Sequence, residues 1–445
     1  MRKSHLIVLF IISIALISCE NTLKYPEDNL REPFETISDS AAVSGYTFIE
    51  SDDMPLTCNA IRGTNVLQYS DGYLFFHNNY GRDVLNFPAN RTLMKYNVMT
   101  GNLTSVCPDS LCLHNTIECP FYAMFKTMYV FDGNIAYAQL YSKNDPFIDY
   151  LMEGQFMLYN LQSGKATVRN KIQTNNYSEN GEILCVDNFV LYYESVYNEE
   201  LDEWMDGIYK WNTENNTVEL LHIENQTNNS ESDYPYARVC EFLFTLDSRI
   251  YFTDGAVIFS TDSNFEDRKE HINGRFVLDV ITDGKYIYYG VPVNDGSYVQ
   301  SLHRVDFDGK NDIDLNIEAQ KGNISITSKY IYYKKYDEIS IGKNRVSGYY
   351  GDNIVLYNSE IWRSDHNGEN HELVYKFEGD MKNHRILHEI YVGNYIYGLY
   401  NCWKDPNNDG VFEDGDNYFS ATADEYKIMR IDVNTGDIYI IDGIR

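Results

Sequence analysis

The sequence predicts an all-β chain closed into a seven-bladed β-propeller, and three observations carry that reading. A short apolar strand that ends in a small polar turn and runs straight into a Tyr-rich strand occurs seven times. The copies recur at irregular intervals of roughly 35–65 residues, as expected of radial architectures built from one supersecondary unit. Asp-Gly and Asn-Gly pairs separate many of the strands, and such pairs favour tight hairpins because glycine accepts positive φ. The clearest copies are Thr282-Asp283-Gly284-Lys285-Tyr286-Ile287-Tyr288-Tyr289 and Thr327-Ser328-Lys329-Tyr330-Ile331-Tyr332-Tyr333. Weaker ones centre on Asp71-Gly72, Asp132-Gly133, Asp187-Asn188, Asp247-Ser248 and Gly393-Asn394.

Each unit reads as four strands, A to D from the centre outward. Units one to three carry outer C–D turns at Thr100-Gly101, Ser163-Gly164 and Glu214-Asn215. The fourth is compact, with Phe242–Leu246, Ile250–Thr253 and Val257–Ser260 followed by a poor fourth strand. The fifth reads Val277–Thr282, Tyr286–Val291, Ser301–Asp306 and about Asp312–Ile317. The sixth reads Asn323–Thr327, Tyr330–Lys335, Ile361–Asp365 and His371–Phe377, and the seventh Leu387–Val392, Tyr395–Tyr400, Lys427–Asp432 and Ile438–Asp442. Radial repetition of such units hides sheet edges. An eight-bladed ring using residues 43–60 is the alternative; the favoured role for those residues is to brace the closure between the last and first blades.

The Tyr-Ile-Tyr-Tyr strands, and Ile250-Tyr251-Phe252-Thr253-Asp254 above all, resemble the YWTD-type repeat of receptor propellers. The chain is also similar to Tyr-rich propeller lipoproteins of bacteria. The resemblance spans about residues 60–445 and implies the fold, not an activity, because propellers host many functions. Most of the 39 tyrosines are expected to be structural. On a B strand the ring packs between sheets and the hydroxyl finds a hydrogen-bond partner.

The N-terminus predicts an address. Arg2 and Lys3 precede an apolar run from Leu6 to Ile17, and Leu16-Ile17-Ser18-Cys19 ends in a cysteine. The run is short for a membrane span, so residues 1–18 read as a cleaved signal. The cysteine resembles the lipidated residue of bacterial lipoproteins, which implies an acylated Cys19 holding the chain on the extracytoplasmic face of a lipid bilayer. Residues 19–42 then form a polar tether and residues 43–445 the propeller. No later segment is long and apolar enough to cross a membrane.

The formal charge is −30, and removing residues 1–18 takes away two cations and no anion, giving −32. That excludes nucleic acid as a partner, because the phosphate backbone would be repelled.

Connection length gives the functional expectation. A–B and C–D turns share one face and are short. B–C connections share the other and are long at Asn78–Asn90, Ser142–Gly154, Ser195–Gly207, Lys335–Ser359 and Asn401–Tyr426. Ring closure makes blades six, seven, one, two and three neighbours, so these insertions gather around one mouth. Loops on a rigid scaffold concentrate binding residues. Aromatics there include Phe147, Tyr150, Tyr197, Trp204, Tyr336, Tyr349, Tyr350 and Trp403. They suit a glycan, a peptide or an envelope protein.

Two motifs carry metal chemistry. Asp405, Asn407, Asp409, Val411 and Asp416 occupy positions one, three, five, seven and twelve of a loop with Gly410 at six. This resembles a calcium loop of the EF-hand kind, with Asp in place of Glu at the last position. Cys107, Cys112, His114 and Cys119 lie on the connection from blade one to blade two. A disulfide among them, with a second bridge to Cys58 or Cys402 left open, is the first expectation in an oxidising compartment. A zinc site of three thiols and an imidazole is the second. Cys185 and Cys240 are expected as small buried groups on innermost strands.

No catalytic signature is present: there is no Gly-x-Ser-x-Gly, no His-Glu-x-x-His and no phosphate loop. His303, His366, His371, His384 and His388 are expected in or beside outer strands, in structural roles. The sequence therefore predicts a non-catalytic binding protein. The alternatives are a polysaccharide lyase or hydrolase and a scaffold subunit of an envelope complex.

Overall fold

The computed structural model describes residues 53, 55, 67–79, 91–109, 112, 119–121, 124–131, 133–142, 151–168, 172–175, 183–186, 189–198, 203–224, 241–253, 257–273, 277–294, 299–320, 324–340, 354–377, 384–402 and 427–441. All belong to one compact unit, Ile37–Arg445. Cys19, Cys58, His114, Cys240, Tyr349, Tyr350, Trp403 and the Asp405–Asp416 motif lie outside the described residues.

The strands form seven antiparallel meanders. Blade one holds β1 (Leu67–Ser70), β2 (Tyr73–Asn79), β3 (Arg91–Asn97) and β4 (Leu103–Ser105). Blade two holds β5 (Met124–Phe131), β6 (Asn134–Ser142), β7 (Leu151–Asn160) and an outer strand in two pieces, β8 (Lys165–Val168) and β9 (Ile172–Asn175), both paired to β7. Blade three holds β10 (Ile183–Val186), β11 (Phe189–Asn198), β12 (Glu203–Asn212) and β13 (Thr217–Glu224). Blade four holds β14 (Glu241–Leu246), β15 (Arg249–Thr253), β16 (Val257–Thr261) and β17 (Lys269–Asn273). Blade five holds β18 (Val280–Thr282), β19 (Tyr286–Pro292), β20 (Val299–Asp306) and β21 (Ile313–Gln320). Blade six holds β22 (Ile324–Ile326), β23 (Tyr330–Ser340), β24 (Ile354–Asp365) and β25 (Glu372–Lys376). Blade seven holds β26 (His384–Val392), β27 (Tyr395–Cys402), β28 (Lys427–Asp432) and β29 (Ile438–Ile441).

The ring is closed. Innermost strands touch in the cyclic order β1, β5, β10, β14, β18, β22, β26 and back to β1. Seven apolar cores fill the seven interfaces between blades. The one that joins blade seven to blade one sets Tyr397 and Ile428 against Phe76 and Tyr96. Among the described residues each blade uses one continuous segment, and these side chains join the last blade to the first.

A period of two explains the Tyr-rich strands. Ile287 and Tyr289 enter the core toward blade four, and Tyr288 the core toward blade six. The next blade repeats this with Ile331 and Tyr333 on one side and Tyr332 on the other. Both faces of a B strand are buried, so large side chains occupy every position. The hydroxyls are paired as expected: Tyr288 donates to Asp283 at 2.9 Å, Tyr289 to Asp312 at 2.9 Å, and Tyr333 bonds His371 at 2.9 Å. Cations from the C strands cover the first Tyr of the motif: Arg304 lies 4.4 Å from the Tyr286 ring, Arg363 4.5 Å from Tyr330, and Arg430 5.2 Å from Tyr395.

The poor fourth strand of blade four is β17, whose N-terminal half is exposed and charged. Several expectations are corrected. The insertion at Ser195–Gly207 is mostly paired hairpin: Ser195 to Asn198 face Asp206 to Glu203, with Tyr197 opposite Trp204, and only residues 199–202 fall between the strands. The insertion in blade six likewise continues β23 and β24 to the Ser340–Ile354 pair. His384 and His388 lie in β26, an innermost strand rather than an outer one.

Of the residues 43–60 expected to brace the ring, Asp53 and Pro55 are described. Asp53 accepts from the backbone N–H of Gly393 at 2.9 Å and of Lys329 at 3.2 Å, and Pro55 bridges Thr327. These contacts tie blade six to blade seven, not blade seven to blade one.

Candidate functional site

The connection from β4 to β5 packs its three cysteines against blade two. Val106 donates its N–H to Leu93 O at 2.9 Å, which carries the chain inward after the short outer strand. A turn closed by Cys112 N–H to Asp109 O at 3.2 Å brings Cys112 back toward Cys107. Further along, the buried amide of Gln139 donates to the Cys119 carbonyl at 3.3 Å and the Pro120 carbonyl at 2.6 Å. Its own oxygen accepts from Gln155 at 2.6 Å, and the Tyr137 hydroxyl also donates to Pro120. Cys119 is therefore fixed by side chains projecting from β6.

The three sulfurs lie within 4.8 Å of one another, with Cys107 and Cys119 buried and Cys112 half-buried. Phe121 donates its backbone N–H to the Cys119 sulfur at 3.4 Å. Its ring stacks on Tyr137 at 5.8 Å and meets Tyr159 edge-on at 4.8 Å, so one side of the cluster is aromatic wall. The core between blades one and two contains Cys107 and Cys119, with Cys112 packed on its border.

The electrostatics are those of thiols sharing protons. Hydrogen bonding from Cys119, helped by the Asp109 backbone and Cys112, pulls the Cys107 thiol down to about 6 against the effect of burial. Cys119 moves up, because it supplies that hydrogen bond and is itself buried. Burial beside these sulfurs also raises the hydroxyls of Tyr137 and Tyr159. The arrangement can hold a thiolate partnered by two thiols, form a disulfide, or ligate a soft cation.

The structure thus unites Cys107, Cys112 and Cys119. Among the described residues this is the one cluster of metal-ligating side chains with converging ligand atoms. Sequence reasoning missed Gln139, Tyr137 and Phe121, which seat it. The available signal was a glutamine in an inward position of an apolar strand. Of the other expected residues, Trp204 lies in β12 and Cys185 in β10. As a D–A connection, the cysteine segment emerges at the same face as the B–C connections.

No family model and no curated sequence matches the chain. Among solved structures it is similar to the β-propeller domain of the Trilobed protease from Pyrococcus furiosus, described as having an open velcro topology, at 9% identity and TM-score 0.44, over 87% of this chain and 99% of that one. It is similar to an oligogalacturonate lyase in complex with manganese at 10% identity and TM-score 0.44, over 83% and 85% of the two chains. An acylaminoacyl peptidase from Pyrococcus horikoshii matches at 10% identity and TM-score 0.45, over 87% of this chain and 53% of that one, so the chain spans about half of the peptidase. At these identities the likeness concerns the propeller fold alone.

Proposed function

We propose that the chain is a lipid-anchored extracytoplasmic propeller that binds a glycan, peptide or envelope protein through its B–C face, without chemistry of its own. The observation that supports this most is the asymmetry of the connections. Turns on the A–B and C–D side are two to seven residues, and asparagine or aspartate caps recur at the outer ones: Asn97, Asn160, Asn212, Asp262, Asp365 and Asp432 each accept a turn N–H. On the other side, residues 80–90, 143–150, 341–353 and 403–426 separate consecutive strands, and β11–β12 and β23–β24 run on as hairpins past their innermost partners. Insertions confined to one face of a rigid scaffold build a recognition surface.

In this reading acylated Cys19 holds the chain on the bilayer and residues 20–42 give it reach. Calcium at Asp405, Asn407, Asp409, Val411 and Asp416 fastens the connection between β27 and β28, because alternating oxygens suit that large cation.

The test is a glycan array and a membrane pull-down with the acylated chain. Recovered ligand must be chemically intact. Binding must be lost when residues 341–353 are replaced by a short turn and kept when the exposed Lys285 or Asn434 of the opposite face is changed. Cleaved or unsaturated sugar products would instead establish the enzyme reading, and Cys19→Ala must release the chain from membranes.

A further inference from the structure

We infer that Cys107, Cys112 and Cys119 form a thiolate site for one zinc ion, placed where blade one hands over to blade two. The inference is independent of what the propeller binds.

The argument starts from number. A disulfide joins two sulfurs at about 2.05 Å and leaves a third with no task. Here three sulfurs converge within 4.8 Å, from three points of a connection whose backbone is pinned separately at each. Tetrahedral zinc with bonds of about 2.3 Å sets its sulfurs about 3.8 Å apart, so the observed triangle needs only small closure around the ion. The pinning is of the outer-shell kind that metal sites use. Phe121 N–H points at the Cys119 sulfur at 3.4 Å, and Cys107 N–H is held by the Ser105 hydroxyl at 3.1 Å. Gln139 locks both carbonyls around Pro120.

Charge selects the metal. Three thiolates carry three negative charges into a pocket walled by Phe121, Tyr137 and Tyr159. A divalent ion leaves one net charge there and a monovalent one leaves two, which is costlier to desolvate. Soft sulfur donors disfavour calcium and magnesium. Zinc is divalent, tolerant of sulfur and has no redox chemistry to oxidise its own ligands. On binding, the protons still held by the cysteines leave to solvent and the three sulfur lone pairs form the bonds to the ion. Cys112, the most exposed of the three, marks the side from which the fourth ligand position is reached. Functionally, the ion ties the start and end of a connection that otherwise depends on one outer strand of three residues, β4.

The test uses the full chain purified in detergent, without chelator and under reducing conditions, with metal content read by mass spectrometry. We expect one zinc per chain. Replacing zinc by cobalt should give thiolate-to-cobalt charge-transfer absorption in the near ultraviolet. Cys112→Ser should weaken zinc binding by more than the ~10–100-fold that loss of an outer-shell partner costs. Should that variant fail to fold, the wild-type chain decides: alkylation of the three cysteines must be slow with metal and fast after chelation. A chain that carries no metal, one whose metal is indifferent to these cysteines, or peptide mapping that finds a disulfide between two of them and a third alkylated at once, each overturns the assignment.

Discussion

The Tyr332 hydroxyl donates to Asp53 Oδ2 at 3.0 Å, across 279 positions of sequence, and so occupies the place that the Tyr288–Asp283 bond of 2.9 Å fills in the preceding blade. Blade five carries its carboxylate in its own A–B turn. Blade six has Thr327-Ser328-Lys329 there, and Asp53 supplies the oxygen from far upstream, also accepting from the Lys329 N–H. Burial beside the carboxylate raises the Tyr332 hydroxyl well above its ordinary value, so it remains a donor throughout the neutral range. Asp53→Ala removes its acceptor, at an expected cost of about 1–3 kcal/mol in denaturant unfolding. A double-mutant cycle with Tyr332→Phe should recover part of that loss; full additivity would mean the two groups are not coupled.

Lys334 and Glu389 form a buried ion pair between blades six and seven, with side chains 1% and 7% exposed. A bulge between Leu387 and Ile390 turns Glu389 toward the lysine, whose ammonium also donates to Ile386 O at 3.0 Å. Removing one partner strands the other charge. Lys334→Met alone should therefore cost about 3–5 kcal/mol, whereas Lys334→Met with Glu389→Leu should be near neutral or stabilising. Thermal unfolding of the three proteins distinguishes these outcomes.

Gly290 gives space to a neighbour. A methyl group there would stand 1.6 Å from the Gln300 side-chain oxygen, and Gln300 is fully buried and bonded to Asp279. Gly290→Ala should destabilise by about 1–3 kcal/mol, as overpacking does. An unchanged midpoint in guanidinium would show that Gln300 moves aside.

The A–B turn of blade four is made by Asp247 at φ 49° and Ser248 at φ 59°, both in the left-handed region and neither a glycine. That conformation costs an L-residue about 1–2 kcal/mol. Ser248→Gly should raise stability by several tenths of a kcal/mol, after the added entropy of the unfolded glycine is set against the relief. A lower melting temperature would mean that the serine side chain contributes to the turn.

The B strands and inner turns were legible because burial on both faces demands large side chains, and tight turns demand Asp or Gly. Outer strands were less so. β8 is exposed along its length, and the first half of β17 is exposed and charged, so pairing rather than burial defines them. Acidic residues crowd Ser195–Gly207 and hide its strands, yet backbone pairing, with position 197 opposite 204, continues the ladder. At the cysteine site the residue types and spacing were visible. What brings them together is Gln139 of β6, a glutamine in an apolar strand whose sequence does not tell which distant segment it holds. Asp53 is the extreme case: one of three carboxylates within Glu50-Ser51-Asp52-Asp53, given meaning only by the blade it completes.

Site-specific photocrosslinking in intact cells tests the central claim most directly. A photoreactive side chain is placed at Tyr197 or Tyr336 on the B–C face, and at Lys285 or Asn434 on the opposite face. The account predicts discrete adducts from the first two positions and none from the others. Adducts from Lys285 or Asn434, with none from Tyr197 or Tyr336, would contradict it.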